Sequence, residues 1–321
     1  MYYLNEADLL AVGFHWNETI DAIEDAVVCL NNKDFAQPVK PYLRYRDLTN
    51  RIIAMPAFVG GKVNLAGIKW IASFPGNIDH GIPRAHSVVI LNKAETGEPF
   101  CIINTALLSI IRTASVSGLM IRHFLAARPL DKINLAIIGW GPIGQHHFKM
   151  ATAILGDKIN RISLFDLRGI DKKKIDPAYR DKVVVADSWQ DAYKDTDIFI
   201  TCTVSKAPYV DLPPKPGSLQ LNCSLRDYKT DILDHTKAII VDDWEECCRE
   251  KTDIEMMHLN RGLEEEDTKS IGDVVVNNCM KDYPIGEAVM FNPMGMAIFD
   301  IATAGYYLEK AKSMGRGQEL D

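Results

Sequence analysis

The sequence has no apolar run approaching the about 18 residues that a membrane-spanning helix needs, so no such helix is expected. Its opening residues, MYYLNEADLL, lack the basic stretch that begins a secretory signal, and the expected compartment is the cytoplasm. Basic residues are in the minority. The 36 lysines and arginines stand against 43 acids for a formal net charge of −7, which argues against a nucleic-acid partner, since that would want a basic face. Cys29, Cys101, Cys202, Cys223, Cys247, Cys248 and Cys279 form no Cys-x-x-Cys pair and no zinc spacing with the histidines. Free thiols and no metal site are therefore expected. The sequence also lacks a Gly-x-Ser-x-Gly elbow, a His-Glu-x-x-His pair and a phosphate loop ending in Gly-Lys-Ser/Thr. Three common hydrolase classes thereby lose their support.

What remains is an ordinary globular composition, 47% hydrophobic and 25% charged, over 321 residues, enough for two domains. The stretch from Ile133 to Asp166 organises one of them. An apolar run, Leu135 to Ile138, meets Gly139, Gly141 and Gly144 in Gly-x-Gly-x-x-Gly spacing, with Pro142 and Ile143 inside the turn, and a helical pattern continues to Leu155. A second apolar run, Ile162 to Phe165, ends on Asp166. Strand, glycine turn, helix and acid together form a dinucleotide fingerprint, in which the pyrophosphate lies at the helix N-terminus and the acid bonds the ribose 2′-hydroxyl. A carboxylate at Asp166 repels a 2′-phosphate, so NAD is expected over NADP; Arg168 softens that preference.

Residues 126–292 are expected to form this Rossmann domain, a doubly wound parallel sheet continued by strand-like runs at Val183–Ala186, Ile198–Cys202, Ser218–Asn222 and Ala238–Val241. Residues 1–125 with 293–321 are expected to form an α+β substrate-binding and dimerisation domain. There Asn17 is positioned to cap a helix through Leu30, and Arg51–Met55, Leu65–Ala72, Ser87–Asn92 and Pro99–Ile103 follow one another as an antiparallel sheet. A helix over Thr105–Ala127 carries Arg112 among apolar neighbours, and a last helix, Met296–Lys312, returns to this domain. Arg44, Lys69, Arg84 and Arg112 stand in strand-like or apolar surroundings and suggest an anion pocket, because arginine binds carboxylates bidentately. Lys69, between Ile68 and Trp70, is either a desolvated amine suited to proton transfer or a lysine on the strand's polar face. His146 and His147 are expected to face solvent or the cofactor's edge.

Through GIKW, SIIRTA, IIGWGPIG, ITCTV and NPMGMAIFD, the chain resembles the ornithine cyclodeaminase and mu-crystallin family along nearly its whole length. NKDFAQPVKPYLR and VDDWEECCREK make it most similar to the siderophore-pathway branch that releases 2,3-diaminopropionate. The resemblance implies a homodimer whose first domains join their sheets, with Arg44, Lys69 and Arg112 on substrate carboxylates and Lys69 and Asp227 in proton transfer. It also implies that Thr201, Thr203 and Val204 line the cofactor, with Asn292 and Met294 near the nicotinamide. Cyclodeaminases acting on ornithine carry a glutamate where this chain has Ile53. With Arg84 added to the other cations, that departure favours a substrate with several carboxylates. The expected reaction is NAD-dependent cleavage of a diaminopropionate–glutamate conjugate; an ornithine cyclodeaminase, an imine or amino-acid reductase, and a non-catalytic mu-crystallin-like nucleotide binder are the alternatives.

Overall fold

The computed structural model describes residues 1–320 and divides into two compact units, Met1–Val116 with Gly295–Asp321, and Ser117–Met294. The first unit carries the short strands β1 (Tyr2–Asn5), β2 (Phe35–Ala36) and β3 (Tyr42–Leu43). Longer strands follow: β4 (Arg51–Val59), β5 (Leu65–Ser73), β6 (Ala85–Lys93) and β7 (Pro99–Asn104). The stretches RIIAMPAFV and SVVILN supply the β-branched and aromatic side chains that fit a pleated surface. With no α-helix between them, β4 to β7 pair antiparallel, each with the next. β1 lies parallel to β7, an addition the sequence pattern did not reveal.

The first long helix spans Trp16–Asn31 and buries Trp16, Ile20, Ile23 and Val27 as one stripe. Asn17 was expected at its cap. It lies within the first turn instead, because His15 takes the cap position in a non-helical conformation, its ring Nε2 bonded to the Val12 carbonyl at 2.9 Å. The last helix, Ala297–Ser313, packs on this helix and on β4 and β5. Its small residues permit the approach: a Cβ on Gly305 would lie 2.8 Å from Leu65 Cδ1.

The second unit holds β8 (Ile133–Ile138), β9 (Ile159–Phe165), β10 (Val183–Val185), β11 (Ile198–Thr201) and β12 (Leu219–Asn222). It continues with β13 (Ala238–Val241), β14 (Thr268–Ser270) and β15 (Val289–Asn292). Their order is β10-β9-β8-β11-β12-β15-β13-β14, and each neighbouring pair is parallel. β8, β11 and β13 are apolar runs buried along most of their length, as strands covered on both faces must be. The order reverses between β8 and β11, which opens a crevice at the carboxyl ends of those strands. A final strand, β16 (Gln318–Glu319), returns to the first sheet beside β1. The helix Leu107–Ala127 contains the division at Val116. No helix among the described residues is long and apolar enough to cross a membrane.

Candidate functional site

The glycine turn sits at the crevice of the second unit. Gly139 has φ +96°, in the left-handed region, and a Cβ there would lie 2.6 Å from the Cys202 carbonyl oxygen. A Cβ on Gly144 would lie 1.9 Å from the Gly139 carbonyl oxygen, so both positions exclude a side chain. Gly141 differs: a Cβ there meets nothing within 4 Å. Gly141 is also the cap residue of the helix Pro142–Leu155, where no side chain bonds the first-turn N–H groups. Open space in front of uncapped N–H groups is what a pyrophosphate needs, and the residues fit a dinucleotide. Asp166 stands at the end of β9. Its Oδ2 accepts from Trp140 N at 2.6 Å and its Oδ1 from Arg168 N at 2.8 Å, which ties the acid to the turn.

Across the same crevice, β11 and β12 deliver a buried polar cluster. Asp227, fully buried, accepts from Thr203 Oγ1 at 2.6 Å, Ser224 Oγ at 2.5 Å and Tyr209 OH at 3.2 Å. Burial pushes its carboxyl pKa up, and the hydroxyl bonds pull against that shift. Thr201 Oγ1 lies 2.9 Å from Ser224 Oγ. Asn222 Nδ2 donates to Asn292 Oδ1 at 2.8 Å and to Asp253 Oδ2 at 2.9 Å, and burial raises the Asp253 pKa to about 6. Leu225, two residues before Asp227, holds φ +60°, a strained value for a leucine that turns the chain back toward Asp253. Met294 N donates to Asp242 Oδ1 at 2.9 Å, and Val204 is 62% exposed at the crevice edge.

In the first unit, β5 places Lys69 at 2% exposure. Its Nζ lies 2.6 Å from Asp300 Oδ2 on the last helix and 3.4 Å from Ser109 Oγ. Arg112 Nε takes the other carboxylate oxygen at 2.9 Å. Burial pushes the Lys69 pKa down to about 7; Asp300 opposes the shift and Arg112 adds to it. Lys40, 3% exposed, donates to the Gly295 carbonyl at 2.8 Å. Gly295 has φ +86°, and a Cβ there would lie 2.5 Å from Arg112 Nη1.

The structure thus brings Lys69 and Arg112 together on one acid. Arg44 is engaged in its own loop, over the Tyr42 ring and bonded to the Leu48 carbonyl at 2.7 Å, while Arg84 leads into β6. Sequence reasoning missed Asp300 and Lys40. The signal for Asp300 was present as a single acid inside the apolar run MAIFDIA, the mirror image of Arg112 inside its own helix. His147 is fully buried and faces neither solvent nor an open edge, because the helix turns it inward toward Cys202 and Cys223.

A family model described as ornithine cyclodeaminase/mu-crystallin family matches residues 10–315. The chain is 32% identical to N-((2S)-2-amino-2-carboxyethyl)-L-glutamate dehydrogenase of Staphylococcus aureus, over 100% of this chain and 98% of that one. Its fold is similar to that of a Thermococcus litoralis Δ1-pyrroline-2-carboxylate reductase solved with NADH and L-proline, with a TM-score of 0.86 at 20% identity over all of both chains. It is also similar to an archaeal alanine dehydrogenase dimer with bound NAD, with a TM-score of 0.83 at 23% identity over 100% of this chain and 99% of that one.

Proposed function

The chain belongs to the ornithine cyclodeaminase/mu-crystallin family, and from that membership we propose that it is an NAD-dependent oxidoreductase acting on a CH–NH bond. Its substrate is the secondary amine that joins 2,3-diaminopropionate to the α-carbon of glutamate. The observation that carries this reading is the full-length likeness to the S. aureus dehydrogenase. The glycine turn supports the cofactor, and Asp166 supports NAD over NADP. NAD, when bound, supplies the hydride acceptor for the glutamyl α-carbon.

The chain's own groups handle charge and protons. Arg112, oriented through Nε by Asp300, presents its guanidinium to a substrate carboxylate, with Arg44 and Arg84 assigned to the others. Lys69, with its pKa at about 7, takes the proton from the secondary amine as the carbon–nitrogen double bond forms. Asp227, whose raised pKa suits proton exchange, serves the water that adds to this bond. Collapse of the adduct breaks the carbon–nitrogen bond and gives 2-oxoglutarate and 2,3-diaminopropionate. A homodimer is proposed by likeness to the archaeal dimer.

The test is a screen of NAD reduction on the diaminopropionate–glutamate conjugate, ornithine, alanine and proline. Stoichiometric NADH and 2-oxoglutarate from the conjugate support the reading. Conversion of ornithine to proline and ammonia, with no net change in NAD, replaces it with a cyclodeaminase.

A further inference from the structure

Two cysteines at the crevice have a geometry that the proposed reaction does not use. Thr201 and Asn222 are register partners at the ends of the parallel strands β11 and β12, and the next residue on each strand is a cysteine. Neighbouring strands lie about 4.8 Å apart, and a disulfide spans Cα atoms about 4.4 to 6.8 Å apart, so the continued register suits a direct cross-link. The two sulfur atoms lie within 4.8 Å of each other. Both residues are partly exposed, whereas Cys29, Cys101, Cys247 and Cys279 are buried.

His147 makes the pair unequal. A carbonyl can only accept, so His147 Nδ1 donates to Ile143 O at 2.9 Å and Nε2 is left facing Cys223 Sγ at 3.5 Å and Ser117 Oγ at 2.9 Å. The adjoining Cys202 thiol and the neighbouring imidazole hold the Cys223 thiol well below its usual range, against burial. Burial and the Cys223 charge hold the Cys202 thiol well above it. The Sγ and ring nitrogen atoms of the three residues lie within 4.8 Å of one another, but Cys202 Sγ sits at 3.7 Å from Nδ1, the nitrogen already committed to Ile143. That placement suits a sulfur–sulfur bond better than a shared cation.

We propose that Cys202 and Cys223 are a redox-modification site, in which a hydroperoxide oxidises Cys223 and Cys202 closes a disulfide across the ends of β11 and β12. The Cys223 sulfur attacks the terminal peroxide oxygen, the O–O bond breaks, and the alkoxide leaves as an alcohol with the thiol's proton, relayed by His147. Cys223 is then a sulfenic acid, oxidised by two electrons. With its negative charge gone, Cys202 loses its proton more readily; its sulfur displaces hydroxide, which departs with that proton as water. The Cys202 carbonyl is packed where a Cβ on Gly139 would lie, and Cys202 N bonds the Ile138 carbonyl at 2.7 Å. Closing the two sulfur atoms to an S–S bond of about 2.05 Å therefore shifts Cys202 against the glycine turn. The cross-link itself needs nothing from the proposed activity, but its effect on dinucleotide binding rests on that reading.

The full chain, freed of reductant, is treated with hydrogen peroxide and followed by intact mass, peptide mapping and NADH fluorescence. The expected result is a loss of two hydrogens mapped to Cys202–Cys223, with loss of NADH binding, both reversed by dithiothreitol. Cys202→Ser stops at one added oxygen on Cys223, trapped by dimedone, and keeps its NADH binding. Oxygen added to Cys223 of the unaltered chain without a cross-link, or a cross-link between other cysteines only, overturns the site. A cross-linked protein that binds NADH as tightly as before overturns the coupling to the turn. Failure of the reduced protein to bind NADH defeats the nucleotide reading alone, because the mass measurement stands without it.

Discussion

Lys69 and Asp300 meet at 2.6 Å with both side chains shut away from solvent. Burial makes Lys69 a lysine that titrates near neutrality, and its carboxylate partner opposes that depression.

The rate of conjugate oxidation, as kcat/KM, should therefore rise as pH passes about 7, where Lys69 loses its proton. Asp300 raises the Lys69 pKa, so Asp300→Asn should move that limb to lower pH. The same change leaves Arg112 without its buried acid and should cost about 3 to 5 kcal/mol of stability. A pH–rate limb that stays in place in Asp300→Asn would show that another group titrates there.

Stability should carry the same signature. The folded pKa of Lys69 is depressed, so between about pH 7 and the ordinary lysine value of about 10.4 the unfolded chain binds more protons than the folded one. Stability contributed by this group is present above the unfolded pKa and is lost as pH falls through the window, with a slope of at most about 1.4 kcal/mol per pH unit. Denaturant midpoints of Lys69→Met should lack this slope. Parallel curves for the two proteins across the window would refute it.

Asp166 is the residue proposed to set cofactor choice. Asp166→Ala should weaken NADH binding and narrow the gap to NADPH, since the variant loses both the ribose acceptor and the 2.6 Å bond that holds Trp140 N. Fluorescence titration with both nucleotides checks this; an unaltered chain that binds NADPH as well as NADH removes the basis of the assignment.

Arg112→Ala should lower kcat/KM by about 10- to 150-fold, as expected for one charge-assisted bond of roughly 1.5 to 3 kcal/mol, with NADH affinity nearly unchanged. Gly295→Ala should act in the same direction, because its Cβ would fall 2.5 Å from Arg112 Nη1 at a φ of +86°. Arg84→Ala should separate substrates: on the proposed reading a conjugate with several carboxylates should need Arg84, and an ornithine-like amino acid should not. Unchanged turnover of the conjugate by Arg84→Ala would return attention to the cyclodeaminase alternative.

The glycine turn and the strands β4 to β7 were legible because each depends on local pattern: glycine spacing, apolar runs and short links. The antiparallel order followed from the links alone. Asp300 was not found, because its pairing with Lys69 spans 231 positions and no local rule joins a strand lysine to a distant helix. The Cys202–Cys223–His147 cluster escaped for a related reason. No sequence spacing encodes it; it arises from the register of two parallel strands and the inward turn of one helix. Asn17 misled because a capping residue type stood one position inside the true start, where His15 had already satisfied the local geometry.

The last helix supplies Asp300 to a sheet whose long strands, β4 to β7, were completed far earlier in the chain. On the ribosome, Lys69 and Arg112 emerge long before the acid that pairs them, and by the time Asp300 is added every strand of the parallel sheet has been synthesised. The nascent chain thus carries two unmatched cations through most of its synthesis, and the first unit sets only after the Ala297–Ser313 helix has left the exit tunnel.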